Sequence, residues 1–365
     1  MSWSAADSSC MSQALELAEK GRFTTHPNPR VGCVITRNDK ILGTGWHQQA
    51  GSPHAEINAL NDASCNLRGA TAYVSLEPCS HHGRTPPCTE AIIRSGISRV
   101  VIAASDPNPQ VSGAGIRALR EAGIAVDTGL MAQPANELNK GFIYRMTRGR
   151  PYVRCKSAVS VDGKTALAAG ASRWITGAAS RLDVQQLRAA SSAVMTGINT
   201  ILADDPRLNV RAVDTAGRQP LRIVLDRNLR FPVTAKMLGE DGTTILFTRN
   251  GNERLHTNLE RAGACVRFVG GDEDDFLNSV LQELASTYEV NDLLVEAGAK
   301  LSGSMLQRDL IDELVVYQAP IILGAGAMDM MEIPAITAMD ERYEMELVDF
   351  RRLGEDWRFV FKPRY

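Results

Sequence analysis

His54 and Glu56, two residues apart, are followed along the chain by Cys79 and Cys88. One imidazole and two thiolates make three ligands for zinc, which leaves a fourth position for a water and lowers that water's pKa toward neutrality. A carboxylate outside the ligand set must then carry a proton from the water to a ring nitrogen and on to departing ammonia, the requirements for hydrolytic deamination of an amino-pyrimidine. Glu56 is placed for that role. Cys79 falls after an expected strand and Cys88 before an expected helix, whose N-terminus favours thiolate over thiol. The pattern His-x-Glu followed by Pro-Cys-x-x-Cys marks zinc deaminases, and here Ser80 to Pro87 separate the cysteines more widely. Two other readings stay open: buried thiols without function, or a structural zinc closed by His81 or His82 as fourth ligand.

These residues need elements to position them. Met11, Ala14, Leu15 and Ala18 recur at helical spacing before Gly21, with an end expected to fray through Ser9. Strands are expected at 31–36 and 41–45, joined by the polar turn 37–40. A helix from about 55, a strand at 72–76, a helix at 89–94, a strand at 99–103, a helix at 116–122 and a strand at 124–128 follow. Strands alternating with helices predict an α/β sheet covered on both faces. Glycine, proline and charge cluster at 147–151, which divides the chain into domains 1–150 and 151–365.

The second half alternates again. Strands are expected at 153–157, 193–196, 221–225, 244–247, 265–269, 293–295, 314–319 and 357–361, and helices at 180–190 and 274–286. No Gly-x-Gly-x-x-Gly follows its first strand, so a Rossmann site is not indicated. The apolar strand 293–295 runs instead into Glu296-Ala297-Gly298-Ala299-Lys300-Leu301-Ser302-Gly303-Ser304. Backbone N–H groups at such a helix start can hold a phosphate, and Gly298 and Gly303 would let the backbone approach closely; an ordinary tight turn reads the same way.

The chain has 365 residues, enough for two domains, and a formal net charge of -2, which argues against a general nucleic-acid binder. No apolar run is long enough to span a bilayer, and no basic segment precedes an apolar one as in a secretory signal. Seven cysteines, an odd number, make a disulfide framework a poor reading and favour a cytoplasmic location.

The motifs 27–32, 43–47, 50–56, Glu77-Pro78-Cys79 through Cys88, and Asp106-Pro107-Asn108-Pro109 resemble those of the bifunctional deaminase/reductases of riboflavin biosynthesis, a family that shows the wide cysteine spacing. Segments 155–158, 160–164, 172–176, 197–206 and 295–298 extend the likeness across nearly the whole chain. The resemblance implies an N-terminal cytidine-deaminase-like three-layer domain and a C-terminal dihydrofolate-reductase-like domain. It implies zinc, one per chain on His54, Cys79 and Cys88, with Glu56 catalytic. The implied substrate is 2,5-diamino-6-(5-phosphoribosylamino)pyrimidin-4-one, which is deaminated and then reduced by NADPH from ribosyl to ribityl.

For NADPH the family likeness implies Ala158, Trp174, Thr200, Asp204 and the turn Gly298, Ala299, Lys300, Leu301, Ser302, Gly303 and Ser304. For the reductase substrate it implies Ser172, Arg188, Leu208, Arg211 and Glu296. Asn28, His47, His82, Arg84 and Asn108 are candidates for the deaminase substrate, against turn-capping asparagines, a core histidine and a solvated loop charge. Lys156 is either an aid to ring opening or a strand-end ion pair. Trp174 is either a cofactor contact or core. A homo-oligomer is expected, since symmetric assemblies are common. The rivals are a nucleic-acid-editing deaminase, a structural-zinc protein, and a deaminase with a degenerate reductase half.

Overall fold

Strands and helices alternate along the chain, as the hydrophobic periodicity predicts. The computed structural model describes residues 3–80, 86–108, 112–172, 174–272 and 275–365. They form two compact units divided between Arg150 and Pro151.

The first unit runs α1 (Ala5–Glu19), β1 (Gly32–Arg37), β2 (Lys40–Trp46), α2 (Ala55–Asp62), β3 (Thr71–Leu76), α3 (Cys88–Ser95), β4 (Arg99–Ala104), α4 (Ala114–Glu121), β5 (Ala125–Thr128), α5 (Ala132–Leu138) and α6 (Lys140–Arg148). Its sheet has the order β2-β1-β3-β4-β5. β1 is antiparallel to both neighbours, while β3, β4 and β5 are parallel. Alternate residues feed two cores. Cys33, Ile35, Val74 and Ile102 pack with Ala59 of α2, Ile92 of α3 and Leu119 of α4. Val34, Tyr73, Val101 and Ala103 pack on the other side with Met11 and Ala14 of α1 and Ala135 of α5. The result is the expected three layers.

The N-terminus departs from its expected fraying. α1 starts at Ala5, with Ser4 Oγ accepting from the Asp7 N–H and Asp7 accepting from the Ser4 N–H, both at 3.0 Å. This capping box satisfies first-turn donors that apolar spacing cannot reveal. Asp7 is also buried, accepting from Tyr73 Oη at 2.9 Å and Arg99 Nη1 at 2.6 Å. We predict that Asp7→Ala costs the first unit about 1–3 kcal/mol, because it removes the capping box and leaves the buried Tyr73 hydroxyl without its acceptor, while Arg99 keeps Asp127. Urea unfolding measures this, and a change near zero would return these residues to a frayed end.

The second unit runs β6 (Tyr152–Val159), β7 (Lys164–Ala166), α7 (Ala178–Ala190), β8 (Ala193–Gly197), α8 (Ile198–Asp204), β9 (Leu221–Leu225), β10 (Thr244–Thr248), α9 (Glu253–Arg261), β11 (Ala264–Phe268), α10 (Phe276–Ser286), β12 (Asp292–Val295), α11 (Ala299–Leu306), β13 (Glu313–Gln318), β14 (Met328–Asp329), β15 (Glu344–Leu353) and β16 (Asp356–Arg364). A nine-stranded sheet has the order β11-β10-β9-β8-β12-β6-β13-β16-β15, and β7 pairs with β14 separately. From β11 to β13 the strands are parallel; β16 and β15 close that edge antiparallel. α10 and α11 cover one face, and α7, α8 and α9 the other.

β15 escapes the sequence pattern because its charges interrupt every apolar run (Glu344, Glu346, Asp349, Arg351). α5, α6, α8, α9, β7 and β14 escape it too, being short or strongly polar.

Candidate functional site

α2 is set directly on β2. A Cβ on Gly45 would lie 2.4 Å from the Ala55 carbonyl oxygen, and one on Gly43 2.3 Å from that of Ala59, so these two positions must be glycine. This close packing places His54, the N-cap residue of α2, beside the end of the sheet. Cys79 lies just past β3, and Cys88 is the first residue of α3.

The three side chains converge. His54 Nδ1 lies 3.5 Å from Cys79 Sγ and 3.3 Å from Cys88 Sγ. Zinc bonds of about 2.05 Å to nitrogen and 2.3 Å to sulfur, held at a tetrahedral angle, separate N from S by about 3.6 Å. The donor set therefore fits a zinc ion in both chemistry and spacing. Among the described residues this is the one cluster of His, Cys, Asp or Glu that could hold a metal. His81, His82 and Arg84 lie outside the described residues.

The Cys88 thiol donates to the Cys79 sulfur, which pulls Cys79 down to about 4 and pushes Cys88 up. A hydrogen bond with Cys79 raises His54 above its usual value. Glu56, on the first turn of α2, is 3% exposed, and burial pushes its carboxyl up to about 7.

His47 has both ring nitrogens engaged, Nδ1 with the Pro53 carbonyl at 3.2 Å and Nε2 with Asn28 Nδ2 at 3.0 Å. Nδ1 therefore carries the proton and Nε2 accepts. Burial lowers the His47 pKa, in keeping with a neutral ring. The ring stands edge-on to His54 at 5.4 Å, so Asn28, His47 and His54 form one packed line. Asp106 caps the turn that leads to Asn108, its Oδ1 accepting the Asn108 backbone N–H at 2.8 Å.

In the second unit, Val295 of β12 lies between Cys155 of β6 and Met195 of β8. The C-terminal ends of these three strands are side by side, where ligands bind in open parallel sheets. From them follow Ala158, then Thr200 and Asp204 on α8, then Glu296 and the turn into α11. Gly298 is the N-cap residue of α11, and an added Cβ there would meet nothing within 4 Å. The first turn of α11 has no side-chain cap, so its N–H groups are not taken up by a capping residue. The close approach at Gly303 is made by the chain itself, since a Cβ there would lie 1.9 Å from the Glu332 carbonyl oxygen. Ser302 is also turned inward, accepting from the Cys155 thiol at 3.6 Å. Trp174 is 68% exposed, which removes the core reading, and Arg181 sits 4.7 Å over its ring.

Glu296 draws the candidate substrate residues together. It accepts from Arg188 Nε at 2.5 Å and Nη2 at 3.0 Å, and pairs with Lys156 Nζ at 3.6 Å. Burial alone would raise its pKa, yet Arg188 and Lys156 hold it down to about 2. Asn209, which sequence reasoning missed, joins Arg188 to Arg211. Its carbonyl accepts from Arg188 Nη1 and its Oδ1 from Arg211 Nη1, both at 3.2 Å. The sole sequence signal was its place between Leu208 and Arg211. Leu208 is buried with a φ of 48°, so its side chain belongs to the core. Ser172 is half-buried in the segment before α7.

A half-buried metal-ligand triad beside a buried carboxylate, on a three-layer α/β unit, defines a zinc-deaminase class. Residues 4–104 match the cytidine and deoxycytidylate deaminase zinc-binding region, and residues 151–359 match the RibD C-terminal domain. The chain belongs to the RibD family, the bifunctional deaminase/reductases of riboflavin biosynthesis. It is 44% identical to riboflavin biosynthesis protein RibD of Escherichia coli K12 over 357 residues, covering 95% of this chain and 96% of that protein. Acinetobacter baumannii RibD has a similar structure, with a TM-score of 0.92 and 44% identity over 99% of both chains. A Thermotoga maritima diaminohydroxyphosphoribosylaminopyrimidine deaminase/5-amino-6-(5-phosphoribosylamino)uracil reductase has a TM-score of 0.87 and 33% identity, over 98% of this chain and 99% of that one.

The Glu296 cluster gives a pH prediction. The folded pKa of about 2 is below the unfolded value of about 4.3, so the stabilisation is complete above about pH 4.3 and is lost as pH falls through about 2. Glu296→Gln should cost about 3–5 kcal/mol at neutral pH by stranding two cations, and the gap from wild type should narrow below about pH 4. Urea midpoints across that range check it; a gap that stays constant contradicts the pairing.

Proposed function

We propose that the unit 1–150 deaminates 2,5-diamino-6-(5-phosphoribosylamino)pyrimidin-4-one, and that the unit 151–365 reduces the ribosyl group of the product to ribityl with NADPH. The observation that carries the reading is the convergence of His54 Nδ1, Cys79 Sγ and Cys88 Sγ beside buried Glu56. These three ligands hold zinc, which when bound makes a water acidic enough to attack near neutral pH. Glu56 takes one proton from that water at its carboxylate and passes it to the ring nitrogen; it then takes the second proton from the hydroxyl newly bonded to the ring carbon and delivers it to the amine as the C–N bond breaks. Asn28 presents its amide to the pyrimidine, and neutral His47 holds that amide in place.

In the reductase, NADPH supplies the hydride. Ala158, Trp174, Thr200, Asp204 and the turn 298–304 bind it, with the first-turn N–H groups of α11 on its diphosphate. Ser172, Arg188, Arg211 and Glu296 hold the substrate, and Leu208, its side chain in the core, contributes backbone alone. Arg188 is already closed on Glu296, so this pair orients sugar hydroxyls while exposed Arg211 meets the phosphate. Lys156, paired to Glu296, stands ready to assist opening of the sugar. The location is the cytoplasm, where thiolate ligands and NADPH both persist.

The protein acts as a homo-oligomer built on β15. This edge strand leaves Leu347, Val348 and Phe350 exposed by 49, 49 and 58%, beside Trp357 at 42%. An open apolar edge pairs readily with a second copy. Leu347→Glu with Phe350→Glu should give a monomer by light scattering; a wild-type protein that is itself monomeric ends this part of the reading.

Glu56→Gln tests the chemistry. Bound zinc should remain, ammonia release should fall by about 10²–10⁴-fold, and NADPH oxidation on pre-deaminated substrate should continue. Undiminished ammonia release would instead favour a structural zinc.

A further inference from the structure

The mechanism above gives no role to Glu77, whose side chain is 4% exposed. Its backbone extends β3 by one bond, donating to the Ala104 carbonyl at 2.9 Å, immediately before Pro78 and Cys79. Its carboxylate accepts four backbone N–H groups from a distant stretch of chain. Oε2 takes those of Asp106 at 3.3 Å and Gly113 at 3.1 Å; Oε1 takes those of Gly115 at 3.0 Å and Ile116 at 3.3 Å.

The last two donors belong to the first turn of α4. That helix has Gly113 at its N-cap, at a φ of 75° and with no side chain to cap it. Glu77 does the capping from another strand, where negative charge also meets the positive end of the helix dipole. Gly115 tightens the same joint, since a Cβ there would lie 2.1 Å from the Pro78 carbonyl oxygen. Asp106 and residues 113–116 are thus fastened to the turn that bears Cys79. Asn108 lies between them along the chain.

We propose that Glu77 is a positioning residue for deamination, fixing Asp106 and the start of α4 against the Cys79 turn so that Asn108, whose N–H is held by Asp106 Oδ1, meets the pyrimidine substrate in register with the zinc ligands. This rests on the deaminase reading above. Glu77→Gln keeps the volume but turns one acceptor into a donor facing backbone N–H groups, which should loosen these attachments.

The test compares wild type, Glu77→Gln, Asn108→Ala and the double variant for zinc content, deamination kinetics and reduction of pre-deaminated substrate. Expected for Glu77→Gln are about one zinc per chain, unchanged reduction, a deamination KM raised about ten-fold or more, and kcat within about three-fold. The double variant should be no worse than the poorer single one, because both act through one contact. An unchanged KM overturns the proposal, as does loss of zinc, which would make Glu77 a support of the metal turn alone. Effects that multiply in the double variant also overturn it. Should Glu77→Gln fail to fold, Gly115→Ala must raise KM in the same way by lifting α4 from Pro78, and an unchanged KM there overturns the proposal. Wild type that releases no ammonia refutes the deaminase reading; wild type that does, with KM unmoved in Glu77→Gln, refutes only this assignment.

Discussion

Two sulfurs, a half-buried imidazole and a buried carboxylate gathered in one cluster compete for protons. Desolvating Glu56 pushes it toward the neutral form, and the two cysteines are left to share a proton. A divalent cation removes the conflict, because it neutralises both thiolates and offsets their loss of hydration. The rest of the first unit serves this convergence. Glycines 43 and 45 let α2 lie on β2 and carry His54 to the sheet end, and the start of α3 brings Cys88 to the same point.

The second unit meets a similar constraint with protein charges. Glu296 lies past the end of the central strand β12, and it is kept ionised by Arg188 and Lys156. Asn209 then ties Arg188 to Arg211 through its backbone and side chain at once. In the function proposed, the arrangement is held ready before a substrate arrives, so fewer side chains must be immobilised on binding. Each unit therefore gathers its charged groups at the ends of neighbouring strands, where a parallel sheet opens to ligands.

Metal ligation demands particular residue types, which is why His54, Glu56, Cys79 and Cys88 were legible from local sequence. The alternation of strands and helices was legible for the same kind of reason, since period and turn residues are local. Glu77 and Asn209 were not, because their partners are backbone groups or side chains brought near only by the fold. The first turn of α1 is polar and depends on Tyr73 and Arg99, far along the chain. β15 hides behind its charges because much of its apolar surface is covered by nothing within the chain. The reductase residues were reached through family resemblance, and the fold supplies physical logic for some of them: Thr200 and Asp204 follow the end of β8, and Glu296 and the turn into α11 follow the end of β12.

The central claim is that two chemistries run on two separate sets of residues, only one of which needs metal. The direct test strips zinc with a chelator and follows ammonia release and NADPH oxidation separately. Ammonia release should stop and return when zinc is restored, while NADPH oxidation on pre-deaminated substrate stays unchanged throughout. Ammonia release that survives zinc removal, or NADPH oxidation that disappears with it, would contradict the account.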